Sequence, residues 1–227
     1  MIDYRGFRPK LLNSPEFSHL KMLLFWPIYG IAFYTLERGL PGRTYFPVES
    51  VLDAYIPFCE LFLIPYMFWF VYLAGMVVYG CFFDLVAFRR YMYFIMLTYM
   101  ITIVIYMLFP TCQNLRPAVF ERDNAFTRFM AGFYAYDTHT NVCPSIHVLG
   151  SVAVSYGAWN SKHFGTRGWR VAFGITTVLI CASTVFLKQH SIIDVFAALL
   201  LCLAVLPVCR RLEQNQRENI MDYTLQA

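Results

Sequence analysis

The chain has 227 residues, of which 59% are hydrophobic and 14% charged, with a net charge of +4. Soluble domains average about 25% charged residues. The balance therefore excludes a disordered chain, a coiled coil, a disulfide-stapled scaffold and an ordinary cytosolic enzyme. What remains is an integral membrane protein, expected as one domain over residues 1–227.

Arg5, Arg8, Lys10 and Lys21 precede or open the first apolar stretch, about Met22–Leu36. That stretch lacks a small-residue cleavage site and reads as a retained anchor, not a signal peptide. Five more apolar stretches follow, at Phe58–Phe82, Tyr91–Phe109, Ser145–Trp159, Trp169–Leu187 and Ile192–Cys209. A spanning helix takes about 20 mostly apolar residues; the first and fourth stretches are short and hold polar or small residues. The expected fold is all-α, six membrane-spanning helices with polar tails at 1–20 and 210–227. Neither an internal repeat nor a low-complexity linker is present.

Basic residues set the expected orientation, because Lys and Arg accumulate on the cytoplasmic side. With a cytoplasmic N-terminus that side receives Arg5, Arg8, Lys10, Lys21, Arg89, Arg90, Lys162, Arg167, Arg170, Arg210, Arg211 and Arg217. The other side receives Arg38, Arg43, Arg116, Arg122, Arg128 and Lys188. Twelve against six places both termini in the cytoplasm. No run of like charges or basic-aromatic stripe points to nucleic acid; the expected partners are the bilayer and a lipid, and oligomeric state is not encoded. The seven cysteines cannot all pair within one chain, and none has metal-ligand spacing. Cys112 and Cys143 flank the longest polar loop, where a bridge between them stays open as an alternative.

In this arrangement the end of the third span, the start of the fourth, the end of the fifth and the start of the sixth share the outer face. Their residues carry the chain's chemistry. His190 and Asp194 are four apart, so on a helix they share a face. A carboxylate there fixes the imidazole tautomer and leaves the other nitrogen free as a nucleophile. Taken alone, the pair is equally a structural hydrogen bond at a helix end. Pro144-Ser145-Ile146-His147 suits a helix start. The N–H groups of Ser145, Ile146 and His147 would then form a cradle for an anion, with His147 placed to protonate a leaving oxygen. Arg116 offers a planar cation that can fork onto phosphoryl oxygens.

Arg116-Pro117, Pro144-Ser145-Ile146-His147 and Ser183-Thr184-x5-His190-x3-Asp194 together resemble the three signatures of the type 2 phosphatidic acid phosphatase (PAP2) superfamily. Those signatures are Lys-x6-Arg-Pro, Pro-Ser-Gly-His and Ser-Arg-x5-His-x3-Asp. The resemblance covers roughly residues 105–205, with spacing and order intact. The sequence departs at the Lys position, which is Phe109, at the Gly, which is Ile146, and at the Arg, which is Thr184. Pro-Ser-Ile-His and His-Ser-Ile-Ile-Asp-Val are similar to segments of inositol phosphorylceramide and sphingomyelin synthases, and Asp53–Phe58 weakly so. Lys188 is the first choice to replace the missing positive charge, with Arg122 and Arg128 behind it.

The resemblance implies a six-span PAP2 bundle and a metal-independent lipid phosphatase, with no cofactor. His190, oriented by Asp194, is the expected nucleophile and His147 the acid and then base. Arg116, Ser145, Ile146 and Lys188 are the expected phosphate-binding residues. The missing cations favour a phosphodiester, and the small size favours water as acceptor over a lipid hydroxyl; transfer to a lipid hydroxyl is the alternative. A transporter, or a lipid-phosphate binder without turnover, is the non-enzymatic rival. His19 and His163 are expected on the surface, His139 in the loop, and Glu60 and Asp84 at helix ends.

Overall fold

The computed structural model describes residues 3–14, 16–38 and 42–226, with side chains as far as Asn215. Expectations touching Met1, Ile2, Pro15, the segment 39–41, the Arg217 side chain and Ala227 lie outside those residues. The chain is mostly helical. Its elements are α1 (Phe25–Arg38), β1 (Phe46–Pro47), α2 (Leu63–Phe83), α3 (Leu85–Leu108), β2 (Thr111–Cys112), α4 (Ala125–Tyr136), α5 (Ile146–Ala158), α6 (Arg167–Phe186) and α7 (Ile192–Gln226).

Four stretches are helical, long and apolar enough to cross a membrane: Glu60–Phe83, Leu85–Leu108, Arg167–Phe186 and Ile192–Asn215. In hydrocarbon every backbone polar group must be bonded within the protein, and a helix does this segment by segment. The first and fourth expected spans correspond to α1, of 14 residues, and α5, of 13. At 1.5 Å per residue each is only ~20 Å long, short of a ~30 Å hydrocarbon core.

The sixth expected stretch ends at Cys209, whereas α7 continues through the basic pair Arg210-Arg211 to Gln226. The third begins six residues earlier than the hydropathy indicated, so Arg89 and Arg90 lie inside α3. Arg90 stays there because it is paired. Its Nε lies 3.3 Å from Glu213 on α7, and its guanidinium stacks 4.7 Å over the Tyr156 ring on α5.

α2 and α3 are joined by one residue. Asp84 ends the first helix with extended backbone and caps the second, accepting from the Ala87 amide at 3.1 Å. Its other oxygen accepts from the Lys162 amide at 2.7 Å, which ties the α5–α6 connection to the same point. So tight a hairpin forces backbones together: a Cβ on Gly80 would lie 2.7 Å from the Cβ and 2.8 Å from the Cα of Phe88. Small residues serve such close approaches in membrane helices.

α3 is the centre of the bundle. Half of its most apolar window is buried (50%), against 22% to 33% in the other three long helices. Packed against it, α5 buries Val148, Leu149, Ala153 and Val154 completely. Tyr99 and Tyr106 of α3 reach the start of α5, donating to the carbonyls of Ile146 at 3.0 Å and Pro144 at 2.6 Å. This fixes the depth at which α5 begins, and hence the position of His147.

α4 was not expected within the polar loop. Its Asn124-x-x-Thr127 capping box and the apolar positions Phe126, Met130 and Phe133 are the signal. β1 and β2 form a two-residue parallel pair that holds the segment after α1 against the segment after α3.

Replacing Gly80 by Ala should destabilise the protein by about 1–3 kcal/mol, the usual cost of overpacking. Thermal unfolding in detergent checks this; an unchanged midpoint would contradict the backbone contact.

Candidate active site

His190 sits in the short turn between α6 and α7, and Asp194 lies on the first turn of α7. Their spacing does what a helix start allows: His190 Nδ1 lies 3.1 Å from Asp194 Oδ2. The same oxygen accepts from the Ser191 amide at 3.0 Å. His190 is 6% exposed and Asp194 is fully buried. The imidazole is thus held through one nitrogen with the other free for chemistry.

His147 lies on the first turn of α5. Its ring stacks on Tyr66 (centroids 4.5 Å) and lies tilted against Trp69 (4.4 Å), and its centroid is 5.6 Å from that of His190. Its Nδ1 is buried without a partner. The two rings share one cavity of about 240 Å³, whose walls come from α1, α2, α3, α4, α5 and the turn before α7.

The remaining expected residues are placed less directly. Ile146 lines the cavity, but Ser145 does not. The Ser145 amide donates to the Asp194 carbonyl at 3.2 Å, which removes one N–H from the expected anion cradle. Its hydroxyl is buried and unpartnered.

Arg116 does not line the cavity; it reaches Gln189, the residue before His190. Its guanidinium donates to the carbonyls of Tyr134 at 3.1 Å, Asp137 at 2.8 Å and Thr138 at 2.8 Å, and to Gln189 Oε1 at 2.6 Å. It also lies 3.4 Å from Asp137 Oδ2. Burial lowers its pKa, opposed chiefly by Asp137. Burial raises that of Asp137, opposed chiefly by Arg116. The pair offset each other, and Arg116 acts as a lock on the loop.

Lys188 is likewise diverted. Its ammonium donates to the carbonyls of Asp53, at 2.7 Å, and Ile56, away from the cavity. Burial lowers its pKa, with Asp53 opposing. Its backbone is left-handed (φ 52°), a strained state for a residue of this type that the surrounding bonds hold in place.

Arg122 pairs with Glu60 at 3.3 Å and Arg128 with Asp123 at 2.7 Å, so neither replaces the missing charge. Phe109 is 63% exposed, and the Thr184 hydroxyl bonds to the Cys181 carbonyl. His139 is exposed and outside the cavity. His163 is exposed beside Tyr79, whereas His19, expected on the surface, is 2% exposed and lies 2.8 Å from the Tyr4 hydroxyl. Its neighbours bury it because the N-terminal segment folds back onto the α2–α3 hairpin, where Tyr4 also donates to the Cys81 carbonyl. Among the described residues no group of three or more His, Cys, Asp and Glu side chains is placed to hold a metal.

Several positioning residues escaped the sequence reading. Asp53 is the most consequential. Its buried carboxylate accepts from Ser191 Oγ at 2.6 Å, the Ile192 amide at 2.9 Å and the Ser50 amide at 2.7 Å, capping α7 from a distant segment. Gln113 Nε2 donates to the carbonyls of Lys188 at 3.0 Å and Gln189 at 3.4 Å. Glu37 lines the cavity and accepts from Asn141 at 2.7 Å. Gln113 and Glu37 carry no local pattern; Asp53 shows one, a capping box with Ser50, but its bonds to Ser191 and Ile192 lie far along the chain.

Cys112 and Cys143 are both free thiols. Burial and the Asp194 carboxylate push Cys143 up to about 12, so it is protonated.

Asp53→Ala would strand the buried donors of Ser191 and Ile192, at about 1–3 kcal/mol for a lost buried bond. Thermal unfolding in detergent should register that loss, with Leu52→Ala, at an exposed neighbour, as control. A thiol titration of unfolded protein without reductant should count seven; five would establish a disulfide.

No protein-family model matches the chain, and no curated protein or solved structure does so either.

Proposed function

We propose that this protein is a six-span, PAP2-type membrane enzyme that hydrolyses a lipid phosphate ester through a phospho-histidine intermediate. What carries the proposal is the pairing of two buried histidines on one cavity, one of them anchored by a buried carboxylate. In this reading α1 and α5 complete the bundle beside the four long helices. Both termini are cytoplasmic, and the cavity opens toward the extracytoplasmic face; the twelve-to-six distribution of basic residues supports that orientation.

The reaction has two steps. The free nitrogen of His190 attacks phosphorus, the bond to the ester oxygen breaks, and its electron pair stays on that oxygen. His147, as imidazolium, gives the leaving oxygen its proton. His147, now neutral, takes a proton from water as the water oxygen attacks phosphorus. The phosphorus–nitrogen bond breaks toward His190, and the product leaves with both histidines restored. Asp194 stabilises the charge that His190 carries in the intermediate. The Tyr66 and Trp69 rings hold His147 in place.

Purified protein should release phosphate, or a phosphorylated headgroup, from a panel of lipid phosphate esters in vesicles. His147→Ala or His190→Ala should each lower the rate by about 10²–10⁴-fold, the usual weight of a positioned acid-base or nucleophilic group, with the thermal midpoint preserved. Near-normal turnover in both variants would refute the assignment. Formation of a new phospholipid in place of released product would identify a lipid hydroxyl as the acceptor.

A further inference from the structure

The cavity around the two histidines has an uneven distribution of charge. Its lining includes the carboxylates of Glu37 and Asp137 and no Lys or Arg. Every basic residue at this end with a described partner is spent elsewhere. Arg38 donates to the Tyr136 carbonyl, Arg43 to the carbonyls of Tyr106 and Met107, and Arg116, Lys188, Arg122 and Arg128 as above. Glu37 and Asp137 are close enough to repel each other. Arg116 offsets Asp137. Glu37 accepts from Asn141 at 2.7 Å and Thr140 at 3.4 Å; burial pushes its pKa up to about 7, opposed by those two bonds and by the Arg38 charge. A dianionic phosphomonoester would meet two carboxylates in this cavity and no Lys or Arg in its lining.

Two unpartnered atoms add direction. Asn141 and Gln189 both line the cavity, and each is 3% exposed. Asn141 Oδ1 and Gln189 Nε2 have no hydrogen-bond partner. Their amides cannot be reversed, because Asn141 donates its nitrogen to Glu37 and Gln189 accepts from Arg116 through its oxygen. A spare acceptor therefore lies beside Glu37, and a spare donor beside His190. The cavity thus offers an unpaired acceptor on Asn141 and an unpaired donor on Gln189, together with two carboxylates.

The lining is also aromatic, with Phe33, Tyr66, Trp69 and Tyr136 in it, a surface that attracts cations through ring faces. At about 240 Å³ the space is below the ~300–1,000 Å³ of sites that enclose whole small molecules. It suits a headgroup whose acyl chains stay outside.

We infer that the cavity selects a phosphodiester lipid whose headgroup ends in a primary ammonium. The phosphate lies against His147, His190 and the Gln189 amide, and the ammonium against Glu37, Asp137 and Asn141 Oδ1. A primary ammonium has three N–H donors for these acceptors; a trimethylated one has none and would leave them unpaired. A glycerol headgroup would bring no charge to Glu37. The inference rests on taking His147 and His190 as the reacting pair, and it adds the substrate class.

The experiment uses full-length protein in vesicles of neutral carrier lipid doped with phosphatidylethanolamine, phosphatidylcholine, phosphatidylglycerol or phosphatidate. Phosphatidylethanolamine should be turned over faster than each of the others by about tenfold or more, the discrimination expected when a charged hydrogen-bonding group is left unpaired. Glu37→Gln and Asp137→Asn should each reduce the ethanolamine-to-glycerol rate ratio. Equal or faster turnover of any other lipid, or an unchanged ratio in both variants, would overturn the inference.

Calorimetric binding of soluble phosphoethanolamine and glycerol phosphate to His190→Ala protein separates this inference from the reading beneath it. Tighter phosphoethanolamine binding supports the headgroup assignment even if the wild type turns over no lipid, an outcome that would refute the enzyme alone. Equal binding of the two would overturn the headgroup assignment.

Discussion

A non-helical turn is buried between two long apolar helices, and everything at the site depends on satisfying its backbone. Irregular backbone at such depth survives only when other parts of the protein bond to it. From Leu187 to Ile193 each amide finds an acceptor: the carbonyls of Ser183, Val185 and Thr184, Asp194 Oδ2, Asp53 Oδ1 and Ser191 Oγ. The carbonyls of Leu187, Lys188 and Gln189 are met by the Tyr134 hydroxyl and the Gln113 amide. His190 is therefore presented by a segment that has no freedom to relax toward a helix.

The clamp explains where the cations went. Lys188 and Arg116 are near the two histidines in sequence or space, but each is used to fasten backbone carbonyls from separate segments. A lysine held to carbonyls by Asp53 and Ile56 cannot also reach the cavity. The departures from the PAP2 signatures at Phe109 and Thr184 are consistent with this: those positions face away, and no other basic residue turns in to replace them. What lines the cavity besides the two histidines is acidic, aromatic and neutral-polar.

Much of this was legible along the chain. The apolar runs of α2, α3, α6 and α7 are long, and long continuous hydropathy reports helix length directly. The spacing of His190 and Asp194 pairs them on the expectation of one helix face; they do meet, but across the turn before α7, where Asp194 also accepts from the Ser191 amide. α1 and α5 read poorly for a reason that the bundle makes plain. Each is too short to be recognised by length, and α5 is rich in small residues because it packs inside the bundle against α3. Arg90 hid the start of α3, since a charge in an apolar run looks like a boundary until its partner Glu213 on α7 is known.

By itself the sequence determined a membrane-embedded helical chain, the order of its long helices and the local His-x3-Asp and Pro-Ser-x-His pieces, because each depends on composition or on a period of a few residues. Only the tertiary structure decided that His147 and His190 share a cavity, that Asp53 caps α7 from 138 positions away, that Arg116 and Lys188 are fasteners, and that Glu37 faces the histidines. Those facts depend on contacts between segments with no sequence relation to one another. They are set by how the helices pack and by the requirement that each buried polar group find a partner.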